Sequence, residues 1–203
     1  AVIVKYGVDS LQEQLALQLM KQFSFIFESA KLRTSIITYD CLVIEGDACL
    51  IEPLLNAESI HQIKKNNNGI SLYDYFVKKW HGPNSREFQD AQLRFLATLA
   101  GSSLACYLLQ LKDRHNANIM LDDDGNMIHI DWGFLLSSSP GAMGFESSPF
   151  KLTSEMIAVL GGLDSPLFGA FRTIFAEGYL ELRKHADRII VMVKIMFLCD
   201  VKR

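Results

Sequence analysis

The stretch LKDRHNANIMLDDDGNMIHIDWGF, residues 111–134, decides the fold class and the chemistry of this chain. It holds two short apolar runs of strand-forming residues, Ile119 to Leu121 and Met127 to Ile130. A polar turn with a glycine, Asp122 to Gly125, joins them. Such a pattern is typical of a β-hairpin. The stretch therefore predicts a polar loop followed by a hairpin, with Asp-Trp-Gly directly after it.

Four polar side chains lie at the two ends of this hairpin. Asp113, His115 and Asn118 precede the first strand, and Asp131 follows the second, so we expect them to converge on one point. Magnesium takes oxygen ligands and binds through one or two carboxylates plus substrate phosphates. Asp131 and the amide oxygen of Asn118 meet that demand and indicate a metal-dependent phosphotransferase. An Asp-rich turn alone is an ordinary surface loop, and only the combination of these parts favours the chemical interpretation.

Length, composition and charge allow a real core and exclude some classes of protein. The chain has 203 residues, 49% of them hydrophobic, and a formal net charge of −3. This length supports one or two domains, and the charge gives no indication of nucleic-acid binding. The four cysteines show no metal-binding spacing and are expected to be reduced thiols. The uncharged stretch from Phe95 to Leu111 contains Gly, Ser and Gln, so it predicts a buried helix rather than a membrane span.

The order of the predicted elements gives an α+β fold class. Predicted strands are Val2–Val4, Thr34–Tyr39, Cys41–Ile44 and Cys49–Glu52. Predicted helices are one capped by Asp9 and Gln12 that ends near Ser29, and then Ser59–Lys65, Ser71–Trp80, Arg86–Leu111, Ser154–Leu160, Pro166–Lys184 and Asp187–Phe197. We expect residues 1–55 to form a small α+β lobe and residues 56–203 a mainly helical lobe. Residues 52–55 are the predicted hinge, with a nucleotide in the crevice between the lobes.

The same stretch carries a resemblance to a known family. Protein kinases have His-Arg-Asp, then Asn, then Asp-Phe-Gly, whereas this chain has the inverted Asp113-Arg114-His115 and resembles the phosphatidylinositol kinase superfamily. Further matches are IVKYG at 3–7, IEPLLNAESIHQIKK at 51–65, CYLLQLKDRHNANI at 106–119 and SSSPGAMGFESSPFKLT at 137–153. Together they are similar to the type III phosphatidylinositol 4-kinases, nearer the beta form than the alpha form. The resemblance covers about residues 1–197 and implies a two-lobed, protein-kinase-like fold, trimmed at both ends, with a truncated first lobe.

The resemblance implies an ATP site between the lobes. By itself Lys5 is a solvated strand-end lysine, but the resemblance makes it the phosphate-binding lysine, with Glu13 as its ionic partner. The linker is expected to bind adenine through the carbonyl of Glu52 and the N–H of Leu54. The slot around the base is expected to be lined by Ile3, Ile51, Met120 and Ile130, with Tyr39 deeper. The chain departs from the family in Gly7 to Glu13, where relatives have one more acid and an arginine.

The resemblance also assigns roles in the catalytic loop and the metal site. Either Asp113 or His115 would orient the lipid hydroxyl or accept its proton, and the sequence leaves both open. Arg114 belongs to the same catalytic set and is more simply interpreted as a brace for the loop. Asn118 and Asp131 are the expected ligands of Mg²⁺, with Mn²⁺ as a substitute. Next to Asp131, relatives have Phe where this chain has Trp132.

The loop after the metal aspartate is where this family binds its headgroup. Its candidate residues are Gly133, Phe134, Ser137, Ser138, Ser139, Pro140, Gly141 and Lys151. Residues 133–150 contain no Lys, Arg or His, and Lys151 is the first basic residue. Additional phosphates on an inositol lipid are best bound by Arg or Lys. The loop therefore predicts a preference for phosphatidylinositol that carries no such phosphates.

The function implied is an ATP-dependent lipid kinase that phosphorylates the 4-hydroxyl of phosphatidylinositol. We expect peripheral contact with the membrane, regulatory proteins that bind regions outside this chain, and a cytoplasmic location on the cytosolic face of Golgi-type membranes. One alternative is a protein Ser/Thr kinase of the phosphatidylinositol-3-kinase-like class, which the match over residues 140–153 disfavours. Another is a non-catalytic nucleotide-binding scaffold, which the retention of Lys5, Asn118 and Asp131 disfavours.

Overall fold

The computed structural model describes residues 1–6, 10–45, 48–136 and 148–200. The strands are β1 (Ile3–Tyr6), β2 (Cys41–Glu45), β3 (Ala48–Ile51), β4 (Ala57–Ser59), β5 (Ile119–Asp122) and β6 (Met127–His129). The helices are α1 (Ser10–Ser29), α2 (Ile60–Asn66), α3 (Leu72–Lys79), α4 (Arg86–Leu109), α5 (Ser154–Val159), α6 (Pro166–Lys184) and α7 (Ala186–Asp200), with one 3₁₀ turn at Asn116–Asn118. The predicted α+β class is confirmed.

The first sheet lies on helix α1. Its strand order is β1-β3-β2, and all neighbours are antiparallel. In α1 the apolar residues at every fourth position, Leu15, Leu19, Phe23 and Phe27, are all buried, as the sequence pattern predicts. Lys5 in β1 lies opposite Cys49 in β3. The first sheet, which contains Lys5, therefore packs on the apolar residues of α1.

The prediction of a strand at residues 34–39 is wrong. The segment is extended, but its hydrogen bonds go to helices instead of a neighbouring strand. The N–H of Ser35 donates to the carbonyl of Ala97 in α4 at 3.2 Å, and the hydroxyl of Thr34 donates to the carbonyl of Ile174 in α6 at 3.0 Å. A β-rich composition does not form a strand where no edge is available to pair with.

The second sheet contains the predicted hairpin. Its strand order is β4-β5-β6, again antiparallel. The turn is fixed by the Asp122 carboxylate, which accepts hydrogen bonds from the N–H groups of Asp124 and Asn126. Gly125 follows with a φ of 93°, which favours glycine. The sequence analysis missed β4, a three-residue strand that passes directly into the cap of α2.

Three of the described helices, α3, α4 and α6, begin at the predicted caps Ser71, Ser85 and Ser165. Asp9, the predicted cap of α1, lies outside the described residues. Each cap accepts a hydrogen bond through its side-chain oxygen from the N–H three residues on, and the caps are Ser59, Ser71, Ser85, Thr153 and Ser165. Helix α6 has the predicted bounds. Helix α4 ends two residues earlier than predicted, because Gln110 takes a left-handed φ of 50°. Within the described residues, no helix is long and apolar enough to cross a membrane.

Two apolar clusters form the core. The first packs α1 and the first sheet against the end of α4, Trp132 and Leu182. The second surrounds Phe76 and Phe95 and is built from α2 to α6 and the hairpin. Helix α4 contributes to both clusters and so connects the two sheets. The division into lobes at residue 55 stays a prediction.

Gly101→Ala is predicted to destabilise the protein. A Cβ added at Gly101 in α4 would lie 2.0 Å from the carbonyl oxygen of Ser35 and 2.8 Å from Cγ1 of Ile36. Since backbone must shift, we expect a loss of about 1–3 kcal/mol or more in the free energy of unfolding, measured in urea. Gly169→Ala in α6 is the matched control, because nothing lies within 4 Å of its added Cβ. It should gain up to about 1 kcal/mol, and equal effects of the two changes would contradict the close contact.

Candidate active site

A cleft of about 420 Å³ lies between the two sheets. It is lined by Ile3, Lys5, Glu13, Tyr39, Ile51, Glu52, Pro53, Leu54, Met120, Ile130 and Asp131. All nine residues assigned above to nucleotide binding are in this set, together with the metal candidate Asp131. They come from β1, α1, the segment before β2, β3 and its linker, and the hairpin. That ATP occupies this cleft stays a prediction.

Lys5 bridges two carboxylates inside the cleft. Its Nζ lies 2.9 Å from Oδ1 of Asp131 and 3.2 Å from Oε2 of Glu13. Burial by itself would lower the pKa of Lys5, but the hydrogen bond to Asp131 and the charge of Glu13 outweigh it. The pKa of Lys5 is therefore raised above its ordinary value. Lys5 is a fixed positive charge at the centre of the cleft.

Glu13 is the buried partner of that lysine. Only 3% of its side chain is exposed. Besides Lys5, it accepts hydrogen bonds from the hydroxyl of Tyr39 at 3.2 Å and from the N–H of Trp132 at 3.4 Å. Burial and the charge of Glu13 raise the pKa of Tyr39, so its hydroxyl stays protonated and donates. The structure thus brings together Lys5 and Glu13, the pair expected from the resemblance.

The two candidate metal ligands lie side by side. The N–H of Ile130 donates to the carbonyl of Asn118 at 3.1 Å, which places Asn118 next to the start of the Asp131 segment. The amide nitrogen of Asn118 donates to the carbonyl of Asp113 at 3.0 Å, so its oxygen is the atom that remains for a ligand. The Asp131 side chain is 51% exposed. One carboxylate and one amide oxygen are a donor set that fits Mg²⁺ when phosphates supply the rest.

Both aspartates of the catalytic region have unusual backbone conformations. Asp113 has a φ of 60° and Asp131 a φ of 62°, in the left-handed region that non-glycine residues rarely occupy. Such conformations cost about 1–3 kcal/mol each and persist only where the surroundings impose them. The surroundings are provided here by Arg114. Strain of this kind is concentrated at functional sites.

Arg114 holds the loop rather than facing the reacting groups. It is 3% exposed, and its guanidinium donates to the carbonyls of Lys112 and Ile130, both at 2.8 Å, and of Asp131. It also lies 5.4 Å from the centre of the Trp132 ring. Its place in the catalytic set is therefore corrected to that of a positioning residue. The brace assigned to it from the sequence is what its contacts provide.

His115 and Asp113 face each other at the mouth of the loop. His115 Nε2 lies 3.8 Å from Asp113 Oδ2, and its Nδ1 accepts a hydrogen bond from the N–H of Ala117 at 3.2 Å. Both residues line a second cavity of about 790 Å³ together with Ser148 to Thr153. Lys151 in this cavity donates to Oδ1 of Asn116 at 3.2 Å. The catalytic loop and the end of the predicted headgroup loop therefore share one space.

Of the other headgroup candidates, Phe134 and Gly133 lie within the described residues. The carbonyl of Phe134 accepts a hydrogen bond from the N–H of Lys112 at 3.1 Å, so this residue ties the loop to the end of α4. Gly133 lies between it and Trp132, and a Cβ added at Gly133 would lie 3.9 Å from Oδ1 of Asp131. Ser137, Ser138, Ser139, Pro140 and Gly141 lie outside the described residues.

Two supporting residues were missed by the sequence analysis. Gln12, interpreted there as a helix cap, donates through its side-chain amide to the carbonyl of Trp132 at 3.0 Å. The indole of Trp132 donates to the hydroxyl of Tyr39 at 2.9 Å. These contacts join positions 120 and 93 residues apart. No local pattern marks such contacts, so no signal in the single sequence could have identified them.

The fold and the site together define a member of a kinase family. The chain matches the phosphatidylinositol 3- and 4-kinase family over residues 1–201 and belongs to it. It is 48% identical to phosphatidylinositol 4-kinase beta of Xenopus tropicalis over 97% of this chain and 24% of that protein. The corresponding values are 48%, 97% and 23% for the Danio rerio protein and 47%, 97% and 24% for the Bos taurus protein. The chain thus spans about a quarter of the length of these relatives.

His129 lies beneath this site and carries no charge. It is buried, its Nδ1 is 3.7 Å from Sγ of Cys106, and its ring stacks on Trp132. Burial, with smaller contributions from the charges of Arg114 and Lys151, lowers the pKa of His129 to about 3. The sequence analysis gave His129 no chemical role, and its contacts agree with a structural one.

We predict that His129 makes the protein sensitive to mild acid. In the unfolded chain this histidine takes up a proton near pH 6.5, but in the folded protein only near pH 3. The stability it contributes is therefore complete above pH 6.5 and falls as the pH drops below it. Between pH 6.5 and 5 the wild type should lose about 2 kcal/mol more unfolding free energy than His129→Gln.

Urea unfolding at several pH values measures this difference. His61→Gln is the control, because it makes the same replacement at an exposed position in α2. The unfolding free energy of His61→Gln should therefore depend on pH in the same way as that of the wild type. If the unfolding free energies of the wild type and His129→Gln changed equally with pH, His129 would not be a neutral, buried group.

Proposed function

We propose that this chain is the catalytic core of an ATP-dependent lipid kinase that phosphorylates the 4-hydroxyl of phosphatidylinositol. The observation that carries the proposal is the Lys5 ammonium held between Glu13 and Asp131 in the cleft. Phosphoryl transfer needs positioned charge more than covalent chemistry from the protein. The names of the relatives support phosphatidylinositol as the lipid.

The adenine of ATP is proposed to bind at the linker after β3. The N–H of Glu52 donates to the carbonyl of Asp40, and its carboxylate accepts from the N–H of Asp40. The carbonyl of Glu52 is then the group of this residue that can accept a bond from adenine. Pro53 has no N–H, so Leu54 is the next donor. The apolar walls would come from Ile51 and the hairpin.

Lys5, Asp131 and Asn118 are proposed to bind the phosphates and the metal. The raised pKa of Lys5 keeps its charge at neutral pH. Asp131 and the amide oxygen of Asn118 would hold Mg²⁺, or Mn²⁺ in its place. A bound divalent ion would neutralise charge on the phosphates during transfer. The protein holds Lys5 and Asp131 at a fixed distance from each other.

We favour Asp113 as the group that accepts the proton of the lipid hydroxyl. His115 Nδ1 already accepts a hydrogen bond from a backbone N–H, so a neutral ring carries its proton on Nε2, on the side of Asp113. A neutral His115 in this arrangement has no ring nitrogen ready to accept a proton. Its proposed role is to orient Asp113 through the proton on Nε2.

The lipid is proposed to enter the larger cavity beside the catalytic loop, where Lys151 is the basic residue of the headgroup segment. This implies peripheral contact with a membrane. By resemblance we propose the cytosolic face of Golgi-type membranes as the location and regulatory partners that bind outside this chain. If the chain divides into two lobes at residue 55, the nucleotide cleft and the lipid cavity would share one opening between the lobes.

Asp131→Asn is predicted to abolish phosphoryl transfer. The change removes a carboxylate at a half-exposed site, so the fold should persist while turnover falls by about a thousandfold or more. Asp123→Asn is the matched control, because Asp123 is a carboxylate at the turn of the same hairpin and pairs with Lys79. Transfer of labelled phosphate from ATP to phosphatidylinositol vesicles measures the effect. Near-normal turnover of Asp131→Asn, or transfer to protein substrates alone, would contradict the proposal.

The enzyme is predicted to prefer phosphatidylinositol over its mono- and bisphosphates. Residues 133–150 carry no basic side chain to bind added phosphates. Initial rates on vesicles of each lipid, with matched total charge, test this preference. A variant with Ser138→Arg and Gly141→Lys should use the phosphorylated lipids better, because it supplies cations. A wild-type enzyme that is faster on the bisphosphate would show the specificity argument to be wrong.

A further inference from the structure

Trp132 is fixed on every side in the described structure. The residue is buried, its carbonyl accepts from Gln12, and its N–H donates to Glu13. The centre of its ring lies 5.4 Å from the guanidinium of Arg114 and 6.3 Å from the centre of the His129 ring. The two hydrogen bonds of its backbone would be needed with any side chain at this buried position. Trp132 directly follows Asp131, so whatever fixes Trp132 also fixes the start of the metal segment.

The indole N–H of Trp132 starts a chain of hydrogen bonds that ends at Lys5. It donates to the hydroxyl of Tyr39 at 2.9 Å, which donates to Oε1 of Glu13 at 3.2 Å. The other oxygen, Oε2, accepts from Lys5 at 3.2 Å. Lys5 also donates to Asp131 at 2.9 Å, and the peptide bond from Asp131 to Trp132 closes the ring.

The direction of these bonds is set by the chemistry of the groups. An indole nitrogen can only donate, and the carboxylate of Glu13 can only accept. The hydroxyl of Tyr39 between them must therefore accept from Trp132 and donate to Glu13. A hydroxyl that accepts one hydrogen bond becomes a better donor in the next. The indole therefore strengthens the bond that holds Glu13.

Phenylalanine at this position could fill much of the ring site but could not start the chain. It has no N–H, so the acceptor site of the Tyr39 hydroxyl would have no partner from residue 132. Glu13 would then be held less firmly, and with it the ammonium of Lys5. The contribution of the indole is thus separate from its packing and can be measured separately.

We propose that Trp132 is a positioning residue, whose indole N–H acts through Tyr39 and Glu13 to hold the Lys5 ammonium in place for the phosphates of ATP. The proposal rests on the proposed kinase function. Because the chain of hydrogen bonds ends at Lys5, the indole N–H of Trp132 should affect the binding of the phosphates. Binding of the adenine ring, at the linker after β3, should not depend on it.

The test compares ATP with adenosine, which lacks the phosphates. Calorimetric affinities for both ligands, with Mg²⁺ present for ATP, are measured on the wild-type protein and its variants. Trp132→Phe and Tyr39→Phe should each weaken ATP binding about three- to tenfold, the range for one hydrogen bond. The affinity of Trp132→Phe for adenosine should be unchanged, because Trp132 is not among the residues that line the cleft. The double variant should bind ATP no more weakly than Tyr39→Phe, because both changes break the same chain.

Trp80→Phe is the matched control. Trp80 is the only other tryptophan of the chain, is buried, and packs on Phe76 in the second cluster. Its replacement should change neither affinity. Equal losses for ATP and adenosine, or additive losses in the double variant, would show that Trp132 acts through packing and overturn the inference. Normal ATP binding by Trp132→Phe would overturn it too, whereas a wild type that binds no ATP would overturn the proposed function with it.

Discussion

The buried carboxylate of Glu13 is the constraint on which the site depends. An ionised carboxylate without partners in a protein interior is very costly, so it must be paired and hydrogen-bonded. Its partners come from β1, from the segment before β2 and from the residue after Asp131. One charge in α1 therefore ties together three separate parts of the chain. The cleft has a defined shape because these parts must all reach Glu13.

The catalytic hairpin is held by a second set of polar contacts. The guanidinium of Arg114 gathers carbonyls from both ends of the hairpin and stabilises the left-handed conformation of Asp131. The strain is therefore compensated by bonds within one short stretch of sequence. The pairing of Lys5 with Asp131 then connects this stretch to the first sheet.

Local patterns predicted the elements whose bonds are local. Helix α6, with Ser165 and Pro166 at its start, has the predicted bounds, and the hairpin follows from its turn. The segment 34–39 and strand β4 were predicted incorrectly or missed, because pairing decides whether an extended segment becomes a strand, and a pairing partner is not visible locally. For the site, all nine residues assigned to the nucleotide line one cleft, although that assignment came from resemblance and not from periodicity.

The sequence by itself determined the α+β class, the hairpin and the identity of the polar groups around it. These properties depend on residue types at short, fixed spacing, which the backbone converts directly into local structure. Only the tertiary structure decided how the groups are supported. The bonds of Trp132 to Tyr39 and of Gln12 to Trp132 cross 93 and 120 positions. Contacts over such separations arise from the packing of whole elements, and one sequence carries no local trace of them.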